Sequence, residues 1–288
     1  MSEDKLKYKL NLVSQFLSEG KKLHALQILN RLILDEPDDE IYFQLADIYE
    51  SMGFVNSGKN ILLELIEKIP QDDEAKLFLG QYLLRNSEWF DAIEVLNNIT
   101  DSTPSSLFLI AYSYMMLKEF ELSREYFQKF INVTKDNELK QEANLYLAKI
   151  EYELNHFDSA LQYAKSAQYL YSDFWELNLI LAKVYYSLEM FTHAITPIQK
   201  ALKLNPKEVM VKEFAGKIYF KLEDFKKAEF YFTECIEQTS EVSAEIYTLL
   251  AKSYLKQRKN DEAKLFFELA LHVDPEYSPA MIGKKDLL

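Results

Sequence analysis

Residues 175–206 read WELNLILAKVYYSLEMFTHAITPIQKALKLNP, and this stretch decides the fold. Apolar residues recur in it at three- and four-residue spacing, in two runs that are separated near Glu189. That spacing indicates two consecutive amphipathic helices. Asn205 and Pro206 end the second helix. The stretch therefore predicts a helical hairpin, which needs neighbouring hairpins to cover its apolar face.

Small residues mark the same hairpin along the rest of the chain. On the second helix they recur at intervals of 31 to 37 residues, as Ala25, Gly58, Ala92, Ser123, Ala160, Ala194, Ala228 and Ala263. The position twelve residues earlier lies on the first helix and is occupied by Val13, Ala46, Gly80, Ala111, Ala148, Ala182, Gly216 and Ala251. Three residues after this first position most units carry an aromatic residue, and Leu83 and Glu151 are the exceptions. The recurrence predicts a stack of similar helix pairs.

This pattern of small residue, tyrosine, alanine and closing proline resembles the tetratricopeptide repeat family, whose units are about 34 residues long. It is carried by segments such as FQLADIYESMGFVNSGKNILLELIEKIP and FAGKIYFKLEDFKKAEFYF, and the resemblance extends over about residues 6–277. The closing prolines are Pro37, Pro70, Pro206 and Pro275. The resemblance implies an all-α fold, a right-handed α-solenoid (superhelix) of about eight helix-turn-helix repeats. It also implies that the first helix of each pair lines a concave groove.

The whole chain of 288 residues is expected to form a single array with two different halves. Residues 6–136 hold repeats 1–4, with a more acidic and apolar groove, and residues 137–277 hold repeats 5–8. Residues 278–288 are expected to form a short capping helix with Ser278 as its N-cap. The longest interval between repeats leaves a polar connection at about residues 132–140, which is interpreted as a soft boundary.

The charge of the chain is negative but uneven. The formal net charge is −13, which argues against a nucleic acid as the partner. Residues 1–140 hold 15 Lys and Arg against 24 Asp and Glu, a net charge of −9. Residues 141–288 hold 18 against 22, a net charge of −4, so the second half has room for a local basic surface.

The sequence contains none of the common catalytic motifs. It has no Gly-rich phosphate loop and no HExxH, CxxC or GxSxG segment. Its four histidines fall in four different repeats, and Cys235 is expected to be a small buried core residue. The first residues lack the apolar core of a signal peptide, and no apolar run reaches the length of a membrane span. We therefore expect a cytoplasmic, non-enzymatic protein without a cofactor or a metal ion.

One feature goes beyond the repeat pattern. The residue after the first small position is a lysine in the last four repeats: Lys149, Lys183, Lys217 and Lys252, here called the lysine ladder. Three residues further on, on the same helix face, come Tyr152, Tyr186, Phe220 and Leu255. Lys221 and Lys256 extend the basic strip by one turn. Since the resemblance places this face in the groove, we predict a scaffold that binds an acidic peptide or partner segment there.

Three alternatives remain open at this stage. The lysines could form a solvated face, offset by the carboxylates seven residues earlier in their helices, Glu142, Glu176 and Glu245. The first half of the groove could instead take an apolar helix of a partner on Phe43, Leu77, Phe108 and Tyr112. The array could also self-associate into a homo-oligomer.

One residue departs from the pattern in a way that can be checked directly. Glu151 stands where most repeats carry an aromatic residue. We expect its side chain to rotate outward into solvent, with Ile150 and Tyr152 filling the space that it leaves.

Overall fold

The computed structural model describes residues 3–35, 39–239 and 241–287 of the chain. Within these residues the chain forms seventeen α-helices and no β-strand, which confirms the all-α fold. Their bounds are α1 Glu3–Ser18, α2 Lys22–Asp35, α3 Asp39–Ser51, α4 Val55–Lys68, α5 Asp73–Arg85, α6 Trp89–Asn97, α7 Pro104–Met116, α8 Phe120–Val133, α9 Asn137–Glu153, α10 Phe157–Tyr171, α11 Trp175–Ser187, α12 Phe191–Leu204, α13 Val209–Lys221, α14 Phe225–Gln238, α15 Ala244–Lys256, α16 Asn260–Val273 and α17 Ser278–Lys285. Pro37, which was expected to close the first repeat, lies outside the described residues.

The helices group into two compact units. The N-terminal unit extends to Lys135, and the C-terminal unit begins at Asp136. The division falls within the polar connection at residues 132–140.

The small residues lie buried where the two helices of a pair meet. At three of these positions, Gly58, Gly80 and Gly216, a methyl group would already collide with the partner helix. A Cβ atom on Gly80 would lie 2.5 Å from Leu96 Cδ2, and one on Gly216 would lie 2.5 Å from Phe232 Cε1. Phe232 is fully buried, so its ring has no free space into which to move. The spacing of small residues in the sequence is therefore the spacing of close helix contacts.

Each turn between a first and a second helix contains one residue with a positive φ. These residues lie five positions before each small residue of the second helix, with φ from 58° to 82°: Gly20, Gly53, Ser87, Lys118, Asn155, Glu189, Glu223 and Arg258. The amide that follows each of them donates to the carbonyl five residues earlier, as Asp224 N does to Tyr219 O at 3.0 Å. This bond closes the first helix by satisfying one of its last carbonyl groups. Only the first two turns use the glycine that this conformation favours.

The first helices of successive pairs contact one another. In the N-terminal unit α5 contacts α7, and in the C-terminal unit α9, α11, α13 and α15 contact each other in order. Within a unit, a second helix packs instead between the first helix of its own pair and the helix that follows it in that unit, as α6 does between α5 and α7 and α14 between α13 and α15. The first helices thus form one layer in each unit, and their outward side chains share one face, here called the inner face.

Two local predictions were wrong. Glu151 is buried, with 4% of its surface exposed, because His156 Nδ1 lies 2.9 Å from its Oε2 and supplies a hydrogen bond inside the fold. The C-terminal helix begins one residue earlier than predicted: Tyr277, not Ser278, is the N-cap residue and makes no side-chain capping bond, and Ser278 is the first helical residue. The prediction that Cys235 is a buried core residue is confirmed. Its exposed fraction is 3%, and burial raises the pKa of its thiol to about 11.

Candidate functional site

The lysine ladder lies on four successive first helices of the C-terminal unit. Lys149 is on α9, Lys183 on α11, Lys217 on α13 and Lys252 on α15. Because these helices contact each other in order, the four side chains follow one another along the inner face. They differ in their surroundings, and those differences decide which charges are available to a ligand.

The ammonium group of Lys183 lies among two aromatic rings and a thioether sulfur. Its Nζ lies 4.9 Å from the ring centroid of Phe214 and 5.7 Å from that of Tyr152, which are cation–π distances. The Met210 sulfur is 3.3 Å away. Burial lowers the pKa of Lys183, although the carboxylates of Glu153 and Glu213 oppose that shift. Lys183 forms no ion pair with any residue that the structure describes.

Lys149 shares a pocket with Lys183. This pocket has a volume of about 250 Å³, and its apolar wall consists of Trp175, Leu179, Ile180 and Met210. Burial lowers the pKa of Lys149, and the negative charge of Glu176 partly offsets the effect. Glu176 also lines the pocket, and its Oε2 is buried without a hydrogen-bond partner among the described residues. Glu153 lines the pocket as well, so the pocket combines two partly desolvated ammonium groups with two carboxylates.

Lys217 is the one ladder lysine with two ion-pair partners. Its Nζ lies 2.8 Å from Glu213 Oε1 and 2.9 Å from Glu245 Oε2, and 12% of its side chain is exposed. Burial alone would lower the pKa of Lys217, but the hydrogen bonds to the two carboxylates raise it above its ordinary value. Glu245 was expected to offset Lys252 on its own helix. It pairs instead with the lysine of the preceding first helix, because neighbouring first helices lie side by side.

The C-terminal end of the strip carries unpaired lysines. Within the described residues, Lys221, Lys252 and Lys256 form no ion pair. Lys221 and Lys256 are exposed, and the Nζ of Lys221 is 5.8 Å from the ring centroid of Phe191. Lys252 and Lys256 line a second pocket of about 510 Å³ together with Phe220. This end of the inner face therefore offers positive charge that the protein itself does not neutralise.

Aromatic rings fill the spaces between the lysines. The ring centroid of Tyr186 lies 5.4 Å from that of Phe191 and 6.2 Å from that of Phe214. Tyr152 packs against Phe157 at 5.7 Å, and Phe220 packs against Phe225 at 5.6 Å. These rings give the inner face an apolar floor under the ammonium groups.

Phe214 is the main contact residue that the sequence analysis missed. Its ring is 4.9 Å from Lys183 Nζ and 5.3 Å from Lys217 Nζ, so it joins two steps of the ladder. The signal was present in the sequence, because Phe214 lies three residues before Lys217 and therefore on the same helix face. The predicted strip contained only positions that follow the lysines in the sequence, so it did not include Phe214.

In the N-terminal unit the predicted apolar residues lie in two places. Phe43 stacks on Phe78 with ring centroids 4.2 Å apart, and it is 8% exposed. Leu77 and Phe43 line a cleft of about 370 Å³. Phe108 packs edge-on against Phe127 and Phe130, and Tyr112 packs against Trp89, at centroid distances of 5.2 to 6.1 Å. Phe43 and Leu77 thus share a cleft, whereas Phe108 and Tyr112 are in contact with other rings.

The rim of that cleft is acidic. Glu40, Asp47 and Glu74 line it. Arg85 lies beside it, with Nη2 at 2.7 Å from Asp47 Oδ1 and 3.0 Å from Glu50 Oε2. Burial raises the pKa of Asp47, Arg85 opposes the rise, and the Glu50 carboxylate adds to it. The inner face of the N-terminal unit is thus opposite in charge to that of the C-terminal unit.

The described residues hold no group of three or more His, Cys, Asp or Glu side chains placed to bind a metal ion. Nor is any described helix both long enough and apolar enough to cross a membrane.

Comparison with known families identifies the repeat. Models described as tetratricopeptide repeats match residues 105–133, 213–241 and 244–277, in both units of the chain. These segments match tetratricopeptide repeats, as the helix pairs and the small-residue spacing predicted. Repeats of this kind support a role as a protein–protein interaction scaffold. Among curated protein sequences, none matches the chain.

Solved structures with the same fold include three examples. A chain of the APC/C hetero-tetramer Cut9–Hcn1 has a TM-score of 0.64 and 18% identity, with 97% of this chain and 55% of that chain covered. A protein from Pseudomonas aeruginosa, pilF, has a TM-score of 0.62 and 16% identity over 74% and 97%. A tetratricopeptide repeat protein from Parabacteroides merdae has a TM-score of 0.59 and 17% identity over 86% and 98%. The present chain spans about half the length of the first of these, and such likenesses concern the fold alone.

Proposed function

We propose that the protein is a non-enzymatic scaffold that binds an acidic peptide or partner segment on the inner face of its C-terminal unit. The observation that carries this proposal is the set of ladder lysines that form no ion pair with any residue in the described part of the chain, Lys149, Lys183 and Lys252. Their neighbours are aromatic rings and aliphatic side chains rather than solvent alone. A peptide carboxylate that reaches them would replace part of the hydration that these ammonium groups lose on burial.

Partial desolvation of the ladder lysines strengthens their attraction for a ligand carboxylate. A lysine that is fully solvated gains little from a carboxylate, because water already stabilises both charges. Lys149 and Lys183 have lost part of that hydration, and the pKa of each is lowered by burial. An incoming carboxylate therefore gains more from them than from an exposed lysine. The aromatic floor adds apolar contacts to the rest of the peptide.

The experiment uses a short fluorescein-labelled peptide of alternating Glu and Ser with one central Phe and blocked ends, here called the acidic probe. Fluorescence anisotropy measures its affinity for the full chain and for the double variant Lys149→Gln/Lys183→Gln. We expect the double variant to bind about tenfold more weakly, since loss of about 1.4 kcal/mol of binding free energy corresponds to that factor.

A matched control removes the same charge from another surface. Lys165 and Lys203 are exposed lysines on the second helices α10 and α12 of the same unit. The variant Lys165→Gln/Lys203→Gln should keep the affinity of the native chain. Equal affinities of the two double variants for the acidic probe would contradict the proposal, because the net charge alone would then explain binding.

Self-association is the second candidate function. Met281 and Ile282 on the last described helix are 45% and 59% exposed, which leaves apolar surface at one end of the C-terminal unit. Light scattering over a range of concentrations tests it. A molar mass that rises toward a multiple of 33.9 kDa would favour a homo-oligomer, and a constant mass of one chain would exclude it.

A further inference from the structure

The C-terminal end of the inner face carries a pocket whose composition is more specific than that of the ladder. It has a volume of about 510 Å³, within the range of about 300 to 1,000 Å³ in which proteins hold small ligands and side chains. Its apolar lining comes from α13, α15, α16 and α17 and consists of Phe220, Leu255, Phe267 and Ile282. We call it the end pocket.

Helix α17 forms one wall of the end pocket and is held firmly in place. Ala280 is fully buried, and a Cβ atom on Gly283 would lie 2.3 Å from Phe267 Cζ, so the helix backbone lies directly on that ring. It contacts both α15 and α16. Ile282 faces the pocket with 59% of its surface exposed, whereas Met281, the residue before it, does not line the pocket. The pocket is therefore a preformed concavity with an apolar wall open to a partner.

The charges at the end pocket are mostly positive. Lys252 and Lys256 line it and form no ion pair with the described residues, and Asp286 is its one acidic lining residue. A group that suits this arrangement has an apolar side chain for the rings and aliphatic wall and carboxylates for the two lysines. A basic segment would meet two uncompensated ammonium groups, so the charge selects an acidic one.

We propose that the end pocket receives a large apolar side chain of the acidic ligand and thereby fixes the register of that ligand along the lysine ladder. This inference rests on the proposed function, since it concerns the same ligand. The ladder alone would let an acidic segment bind in more than one register, because Lys149, Lys183 and Lys252 each present an ammonium group that forms no ion pair with a described residue. One buried apolar side chain next to Lys252 and Lys256 removes that freedom.

The test compares two probes on three forms of the full chain. The acidic probe carries its central Phe, and the Ala probe is the same peptide with alanine in that place. The native chain should bind the acidic probe about tenfold more tightly than the Ala probe, because only the former fills the end pocket. Ile282→Glu should reduce that ratio to about one, because it places a carboxylate in the apolar wall. Met281→Glu is the matched control, with the same charge change on the same helix, and should keep the ratio.

The outcomes separate this inference from the proposed function. If Lys149→Gln/Lys183→Gln weakens both probes and keeps their ratio, while Ile282→Glu removes the ratio, both proposals hold. If the lysine variant weakens both probes but the native chain binds them equally, the end pocket is overturned and the ladder stands. If the lysine variant binds both probes as the native chain does, the proposed function is overturned, and the end pocket falls with it. Thermal unfolding by circular dichroism checks that Ile282→Glu and Met281→Glu remain folded.

Discussion

The two units use the same helix pairs to build inner faces of opposite charge. In the N-terminal unit the position after the first-helix small residue holds Asp47, Gln81 or Tyr112, and in the C-terminal unit it holds lysine at every repeat. Asp47 meets the resident cation Arg85 at 2.7 Å, so the charge of Asp47 is compensated within the protein. Lys183 has no such partner among the described residues. From this difference we infer that the C-terminal unit, and not the N-terminal unit, has unpaired charge available to a ligand.

The two units share the residues that build the fold and differ in the residues that line the inner face. The small residues and the rings that cover them are buried in both units, as Phe127 and Phe232 show with 0% exposure each. The residue next to each small position points to the inner face and differs in type between the two units. A substitution of one of these buried residues should therefore lower the free energy of unfolding. A substitution on the inner face should change the affinity for a ligand.

The largest expected effect is the loss of a buried ring. Phe127→Ala in the N-terminal unit and Phe232→Ala in the C-terminal unit should each cost about 3–5 kcal/mol of unfolding free energy, from lost burial and a residual cavity. Because repeats depend mainly on their neighbours, the loss should be local. Hydrogen exchange should speed up in α5–α8 for Phe127→Ala and in α13–α16 for Phe232→Ala. Equal acceleration in both units for either variant would contradict a local loss.

A smaller loss is expected where a methyl group is added. Gly216→Ala places Cβ 2.5 Å from Phe232 Cε1, so the ring or the helix must shift. We expect a cost of about 1–3 kcal/mol, as for overpacked cores. Ala182 is the equivalent residue of the preceding repeat, and Ala182→Gly provides the reverse change, with a cost of about 1 kcal/mol from helix propensity. Urea unfolding of both variants measures the costs, and a neutral Gly216→Ala would show that the contact relaxes freely.

The next prediction distinguishes the steps of the ladder. Lys217 is already paired with Glu213 and Glu245, whereas Lys183 is not paired with any described residue. Lys183→Gln should weaken binding of the acidic probe by several-fold, because removing one partly buried charge costs about 1 kcal/mol. Lys217→Gln should weaken it less, because the ligand would have to displace two resident carboxylates. Anisotropy titrations that rank the two variants in the opposite order would contradict the proposal that unpaired lysines bind the ligand.

The smallest expected effect is a gain in stability at a turn. Glu223 has a φ of 60°, a conformation that costs a non-glycine residue about 1 kcal/mol. Glu223→Gly should stabilise the C-terminal unit by a few tenths to about 1 kcal/mol, since the relief of strain exceeds the added chain entropy. The equivalent turn of the N-terminal unit uses Gly53, with a φ of 82°, so Gly53→Ala should show the opposite sign. Urea unfolding compares the two variants with the native chain.

The sequence predicted the helix pairs because their signal is periodic and each small residue is backed by a buried contact. It did not predict the positive φ turns, because six of the eight are occupied by residues such as Glu189 that normally avoid this conformation. It misjudged Glu151 because the hydrogen bond from His156 that allows burial depends on the turn geometry. It placed the lysines on one face but not their pairing, since the Lys217–Glu245 contact joins two different helices.

The most direct measurement of the central claim reverses the charge of the ligand. The chain as a whole has a net charge of −13, which favours a basic ligand, whereas the inner face of the C-terminal unit favours an acidic one. The acidic probe and a probe with Lys in place of every Glu are titrated against the native chain at physiological ionic strength, where distant charges are largely screened. The account predicts that the acidic probe binds at least tenfold more tightly and loses affinity as salt is added. Tighter binding of the basic probe would contradict it.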